Sequence, residues 1–274
     1  MPRKLDPDPP TNPDMTKPLL GAAVALAILH AMPMEAAECR ARSGAQTTAL
    51  VELYTSEGCD SCPPADRWLS SLASRGHAPD RVVPIALHVD YWDYIGWKDP
   101  YAKALFSSRQ RRLAQVMRAK VVYTPQVLLQ GVDFRRWHGP GFDEAVAKIN
   151  ARPSRARIEL SLESAAGGHF PVEVRAEVLE PAQRAGAGLY LAAYENKLVS
   201  TVRAGENRGK TLMHDYVVFE WVGPLEFGPE GRISARRSLP LLPKAVAANS
   251  GVVAFVQNRS NAEVLQALML PACP

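Results

Sequence analysis

Residues 47–73 read TTALVELYTSEGCDSCPPADRWLSSLA. Thr47 to Tyr54 is an apolar, β-branched run of strand length, the pattern of a buried strand. Thr55-Ser56-Glu57-Gly58 makes a turn, and Cys59-Asp60-Ser61-Cys62 follows it. Pro63 and Pro64 come next, and proline suits the first turn of a helix, where its missing N–H leaves no bond unmade. Trp68, Leu69 and Leu72 then recur at helical spacing within residues 65–73. The two cysteines therefore fall between a buried strand and a helix N-terminus, where the partial positive charge of the helix end stabilises a thiolate. The C-x-x-C spacing alone is ambiguous, because zinc sites, structural disulfides and redox pairs all use it. Zinc normally takes four ligands, and the sequence has neither a second C-x-x-C nor an H-x-x-x-H.

Working outward, residues 81–89 (RVVPIALHV) predict a second strand and residues 100–117 a helix. Residues 126–130 (QVLLQ) predict a third strand and 132–137 a fourth, with Gly131 at the turn, and 142–149 a closing helix. Arg109, Arg111, Arg112 and Arg118 form a basic run on the crossover helix, read as a solvated face and extended by Arg135 and Arg136. After the second strand, four aromatics crowd into seven residues: Tyr91, Trp92, Tyr94 and Trp97. Strand ends border sites in open α/β folds, so these rings suit a wall for a substrate peptide, or else a small core that fixes the loop. His88 and Asp90 are candidates for acid–base work or metal ligation, although a lone histidine at a strand end is more often structural.

This β-α-β, helix, β-β-α order, with C-x-x-C at the first helix N-terminus, resembles the thioredoxin fold. Tyr123-Thr124-Pro125 precedes the third strand, and thioredoxin-like proteins place a cis-proline there, facing the cysteine pair. The resemblance thus implies that Pro125 is cis and that Pro125 and Thr124 position the partner's backbone, with Tyr123 among the substrate-binding residues. The stretches VELYTSEGCDSCPPAD, HVDYWDYIGWKDPYA, SSRQRRLA and VYTPQVLLQG are similar to the exported family numbered 1223 among the domains of unknown function. Its members are thioredoxin-like secreted proteins with a C-terminal extension, and the similarity spans residues 47–270.

The N-terminus predicts export. Lys17, the apolar run from Leu19 to Met32 and the small residues before Cys39 read as a secretory signal peptide, with Met15 as an alternative start. That run is shorter than the roughly 20 residues a membrane-spanning helix needs. Residues 1–37 are thus expected to be an unstructured leader and signal, and the mature chain to be periplasmic or secreted without a stable membrane span. The chain has 4 cysteines. Cys39 and Cys273 stand at opposite ends of the mature chain, and domain termini often lie close together, so these two are expected to form a structural disulfide. After the linker-like residues 151–154, short strands at 156–162, 172–178, 188–195, 216–221, 232–238 and 251–257 suggest a β-sandwich. The expectation is an α/β thioredoxin-like domain over 38–152, followed by a mainly β, sandwich-like domain over 153–274. Glu206 to Lys210 reads as a charged hairpin turn, which by the family resemblance can dock against the first domain.

Of the 274 residues, 47% are hydrophobic and 22% charged, enough apolar content for a sizeable core, which excludes wholesale disorder. The net charge of +4 is too small to make nucleic acid the default partner. The resulting expectation is an exported thiol–disulfide oxidoreductase-like protein with no organic cofactor. Cys59 would be the exposed nucleophile and Cys62 the resolving thiol. Its substrates would be thiol- or disulfide-bearing proteins or peptides, and another exported thiol protein would supply electrons. Asp60 opposes the thiolate, which points to a reducing pair rather than a strong oxidant. Two alternatives stand beside it: a Cu(I) or soft-metal module held by Cys59, Cys62 and His88, and a non-catalytic binding protein whose C-x-x-C disulfide is permanent.

Overall fold

The computed structural model describes residues 38–273; the expected leader and signal peptide lie outside these residues. The chain opens with β1 (Glu38–Arg42), β2 (Ala49–Thr55), α1 (Pro63–Ser71), β3 (Val82–His88), α2 (Ala104–Val116), β4 (Gln126–Leu129), β5 (Val132–Asp133) and α3 (Gly141–Asn150). It continues with β6 (Ala156–Glu163), β7 (His169–Val178), β8 (Ala187–Glu195), β9 (Leu198–Thr201), β10 (Thr211–His214), β11 (Val217–Glu226), β12 (Arg232–Pro240), β13 (Ser250–Asn258) and β14 (Val264–Pro271).

The apolar runs behave as their composition requires. Every residue of β2, β3, β8 and β13 is buried, whereas β6 and β7 alternate buried with partly or fully exposed positions and so cover only one face. An eight-stranded sheet runs in the order β14-β13-β8-β11-β3-β2-β4-β5, and a four-stranded sheet in the order β1-β6-β7-β12. β2 and β3 are parallel, β4 is antiparallel to β2, and β11 joins the two halves of the large sheet through Val217 opposite Ala86.

The large sheet has two different faces. On one, Leu189, Leu191, Val252 and Ala254 pack against the four-stranded sheet, while Ala49, Val51 and Leu53 pack against Leu69 of α1 and Phe142 of α3. On the other, Leu50, Ile85, Tyr190 and Phe255 enclose Phe106 and Leu113 of α2. The sheet curls far enough for its ends to meet. Gln266 of β14 accepts a hydrogen bond from the Thr48 N–H at 2.8 Å, and Gln130 after β4 donates to the Val264 carbonyl at 3.0 Å. Helix α2 therefore packs one face, with Phe106, Gln110 and Leu113 buried, into the hollow of this partly open barrel, while Leu105, Ser108, Arg111 and Arg112 stay exposed.

This architecture corrects the expected fold class. The chain is not an α/β thioredoxin-like domain followed by a separate β-sandwich. Among the described residues it is mainly strand, with fourteen strands against three α-helices, and the described residues fall in one compact unit. The reason is the apolar content of the second half. β8 and β13 are hydrophobic on both faces, so a two-layer sandwich would have left one face in water. They extend the first sheet instead. Four strands went unread: β1, the short pair β9 and β10, and β14. Arg109 also leaves the solvated face assigned to it, because it shares the buried face of Phe106, Gln110 and Leu113 and pairs with Glu52; its side chain is 9% exposed.

Candidate functional site

The C-x-x-C turn joins the end of β2 to the start of α1. Cys59 N–H donates to the Ser56 carbonyl at 3.2 Å and Cys62 N–H to the Cys59 carbonyl at 3.3 Å, closing two successive turns. Cys62 is the N-cap of α1, and proline opens the helix as its sequence implies. Cys59 and Cys62 form a disulfide with a Cα–Cα separation of 5.4 Å. Neither cysteine is on the surface: Cys59 is 1% exposed and Cys62 0%. The expectation of an exposed Cys59 thus differs from the oxidised structure. Asp60 and Ser61, at the crest of the turn, are exposed.

Two loops enclose the turn. From one side, Trp92 lies so close that a Cβ placed on Gly58 would stand 2.9 Å from Trp92 Cβ; only glycine fits there. Trp92 Nε1 donates to Thr124 Oγ1 at 2.7 Å, and the Thr124–Pro125 peptide is cis. Trp92 thereby links the cysteine turn to the Tyr123-Thr124-Pro125 segment. From the other side come residues 205–210, in the connection between β9 and β10. Asn207 is fully buried, and its Nδ2 donates to the carbonyls of Glu57 at 2.8 Å and Cys59 at 2.9 Å. Lys210 Nζ holds the other end of that amide, and Glu206 Oε2 accepts from the Asp60 N–H at 3.1 Å.

The remaining aromatics do not form one wall. Trp97 points inward, its Nε1 donating to Glu57 Oε2 at 2.8 Å. Tyr91 bonds Gln110 of α2 at 3.2 Å. Tyr123 bonds Asp133 of β5 at 2.8 Å. Tyr94 alone stands in solvent, 82% exposed.

Beneath the turn lies a cluster of buried ionisable groups, of which the sequence singles out only His88. Glu57 Oε1 meets His214 Nε2 at 3.1 Å, and its N–H donates to Asp99 Oδ2 at 2.8 Å. Asp99 Oδ2 also meets His88 Nδ1 at 2.7 Å. The rings of His88 and His214 cross edge to face at 5.0 Å, with Tyr101 against both. Asp66 of α1 accepts from Thr55 Oγ1 at 3.2 Å. Burial pulls the His88 pKa down, but the Asp99 carboxylate more than offsets this and holds it at about 8. Burial pushes Asp99 up, and His88 brings it below the usual carboxylate range. For Asp66, burial outweighs both histidines and leaves the pKa raised. His88 Nε2 and His214 Nδ1 are buried without a hydrogen-bond partner. Asp90 stands apart from this cluster, bonded to Ser107. Among the described residues, no group of three or more His, Cys, Asp or Glu is arranged to hold a metal ion.

Far from this turn, Cys39 and Cys273 form the second disulfide, bridging β1 to the end of the chain across 234 positions. No helix among the described residues is long and apolar enough to cross a membrane.

The family model described as Protein of unknown function (DUF1223) matches residues 50–257. That is more than half of the chain, and the chain belongs to this family. Among solved structures, a protein from Agrobacterium tumefaciens is 23% identical, covers 84% of this chain and 97% of its own length, and superposes with a TM-score of 0.58. HBP35 of Porphyromonas gingivalis is 15% identical, covers 84% of this chain and 76% of its own length, with a TM-score of 0.65. At these identities the likeness is one of fold. No curated protein matches the sequence.

Proposed function

We propose that this member of the DUF1223 family is an exported protein that exchanges thiols and disulfides through Cys59 and Cys62. The observation that carries the reading is a disulfide closed across three positions at a helix N-cap. Such a placement favours a thiolate on the departing sulfur. In the oxidised form, a substrate thiolate attacks Cys59 Sγ. The Cys59–Cys62 bond breaks, and its electron pair leaves on Cys62 Sγ. The substrate's second thiolate then attacks its own sulfur in the mixed disulfide and releases Cys59. The substrate has become a disulfide and the pair a dithiol, a two-electron transfer. The reverse sequence reduces a substrate disulfide, with electrons supplied by another exported thiol protein.

The substrate is a thiol- or disulfide-bearing protein or peptide. Trp92 and Tyr94 border its path, and Tyr123 and Thr124 offer it backbone contacts. In its cysteine turn and the neighbouring Thr124–Pro125, the site is thioredoxin-like; that affiliation is proposed for the site and not for the fold. Asp60, exposed next to Cys59 at the crest of the turn, places a carboxylate where it disfavours thiolate, which favours a reducing pair. Export fits two formed disulfides in a chain of this size, since disulfides persist in oxidising compartments.

Equilibration with glutathione and dithiothreitol buffers tests the reading, with Cys59→Ser as control. We expect rapid exchange at a potential between about −300 and −200 mV. A value near −120 mV, that of the strongest periplasmic oxidants, overturns the reducing direction.

The burial of both cysteines favours a second reading, in which the disulfide is permanent and the protein a binding module. Resistance to reduction well below about −300 mV would support it.

A further inference from the structure

The β9–β10 hairpin belongs to neither large sheet. It is a two-stranded arm of its own. Its inner residues, Leu212 and His214, are buried, and with Pro63, Asp66 and Arg67 of α1 they line a cavity of about 160 Å³. Its tip, residues 202–210, is folded on itself by the bonds Gly209 N–H to Val202 carbonyl at 2.8 Å and Lys210 N–H to Asn207 carbonyl at 3.0 Å. This tip is a preformed unit. It touches the cysteine turn through only a few polar bonds, two from Asn207 and one from Glu206.

Gly205 (φ +71°) lets the tip pack closely beside the aromatic loop. A Cβ there would lie 3.0 Å from Ile95 Cδ1 and 3.4 Å from Trp97 Cβ. Ile95 also faces Gly58 on the cysteine turn. The turn is thus held between a fixed aromatic loop and a detachable tip, while Cys59 is 1% exposed. Exchange at sulfur requires a nucleophile to approach along the S–S axis, so an oxidised pair this deeply covered reacts only when something moves. The aromatic loop is anchored by Trp92 to Thr124 and by Trp97 to Glu57. The tip is held to the turn by three hydrogen bonds, all made by the side chains of Glu206 and Asn207.

We propose that the tip of the β9–β10 arm, residues 202–210, is a gate over the Cys59–Cys62 disulfide and that Asn207 is its latch, while His214 Nε2 to Glu57 Oε1 at 3.1 Å keeps the strands of the arm in place. This inference rests on the reading that the pair meets external thiols. Asn207 is a positioning residue. Its amide caps two carbonyls of the turn when the gate is shut, and those carbonyls turn to solvent or to the substrate backbone when it opens. Glu206 is the outer catch, on the exposed rim. Substrate selection follows, because a polypeptide presenting backbone N–H groups can take over the two carbonyl bonds and a small thiol cannot.

The test is the second-order rate constant for reduction of the Cys59–Cys62 disulfide in the oxidised full chain by dithiothreitol, which itself closes to a cyclic disulfide, with Cys39–Cys273 followed separately by alkylation and peptide mass. Losing two hydrogen bonds of ordinary net strength shifts an opening equilibrium on the order of tenfold. Asn207→Ala is therefore expected to react about tenfold faster than the parent. Glu206→Ala, an exposed change that leaves the core intact, should react about threefold faster. Val174→Ala, in the core between the two sheets and in a different cluster from the residues around the Cys59–Cys62 turn, supplies the control for general loss of stability. Its rate should stay within about twofold of the parent although its melting temperature falls. An unchanged rate in both arm variants overturns the gate, as does an equal acceleration in Val174→Ala. The thiol-exchange reading fails separately, if the parent never equilibrates with glutathione; the ratio of variant to parent rates with dithiothreitol still reports on the gate.

Discussion

Arg109 carries the sharpest stability test. Its Nε and Nη2 donate to the two oxygens of Glu52 at 2.8 and 2.9 Å, and Nη2 also reaches Gln257 at 3.0 Å. The guanidinium lies 4.7 Å from the Trp221 ring centroid and 5.2 Å from that of Tyr190. The Glu52 side chain is 0% exposed, and beyond Arg109 it is bonded by the Tyr54 hydroxyl at 2.9 Å. Replacing Arg109 by leucine strands a carboxylate inside the barrel with one neutral donor. At an effective dielectric of 20, unit charges 4 Å apart attract by about 4 kcal/mol. Removing one member of a buried pair costs about 3–5 kcal/mol. Arg109→Leu should therefore lower the unfolding free energy by about 4 kcal/mol in urea melts at pH 7. Arg109→Leu combined with Glu52→Leu removes the stranded charge and should recover most of that loss, because buried ion pairs exchange for apolar groups at little net cost. Arg112→Ala, exposed on the same helix, should cost less than about 0.5 kcal/mol. If Arg109→Leu costs under about 1 kcal/mol, or the double variant is no better than the single one, the pair is not the buried, partner-dependent unit described above.

Three further outcomes follow from the geometry. Opening the Cys39–Cys273 bridge with paired alanines releases a closure across 234 positions; the chain-entropy relation gives about 5 kcal/mol as an upper figure, so calorimetry should show a melting temperature lower by about 10 °C or more. His88, with its folded pKa raised to about 8, contributes stability that is full below its unfolded pKa near 6.5 and fades as pH rises through 8. The parent should therefore lose about 2 kcal/mol between pH 6 and 9, and a His88→Gln variant that retains this slope would refute the assignment. Gly58→Ala forces a Cβ to within 2.9 Å of Trp92; we expect a loss of about 1–3 kcal/mol and a shifted tryptophan emission, and an unchanged spectrum would contradict the packing.

The sequence was most legible where one segment decides its own fate. β2 and α1 are announced by an uninterrupted apolar run and by proline at the helix start, and both stand where these signals put them. The disulfide between chain ends was legible for a different reason, the scarcity of cysteines. Partnerships between distant segments were hidden. Glu52 looks like an imperfection in an apolar strand until Arg109, 57 positions on, arrives beside it. Arg109 looks solvated because of its charge and its neighbours Arg111 and Arg112, although its spacing from Phe106 and Leu113 puts it on the buried face of the helix. Glu57, Asp66, Asp99 and His214 carry no local mark of burial. Only β9 and β10, four residues each and separated by a polar loop, bring His214 and Asn207 to the cysteine turn, and strands that short fall below what alternation can register.

The strand order of the large sheet also dictates when the protein can fold. β2 and β3 are made early, yet β3 gains its second neighbour only with β11, and the barrel closes only when Gln266 reaches Thr48, 218 positions back. β1 likewise waits for β6, and its cysteine for the last residues of the chain. A chain emerging from its N-terminus can cover Leu50, Ile85 and Leu87 only in part, with Phe106, Leu113 and Leu128, because Tyr190, Val253 and Phe255 of the same cluster come later. Such long-range pairing makes for slow folding and prolonged exposure to aggregation. Truncation after β13 should therefore abolish the fold rather than shorten it.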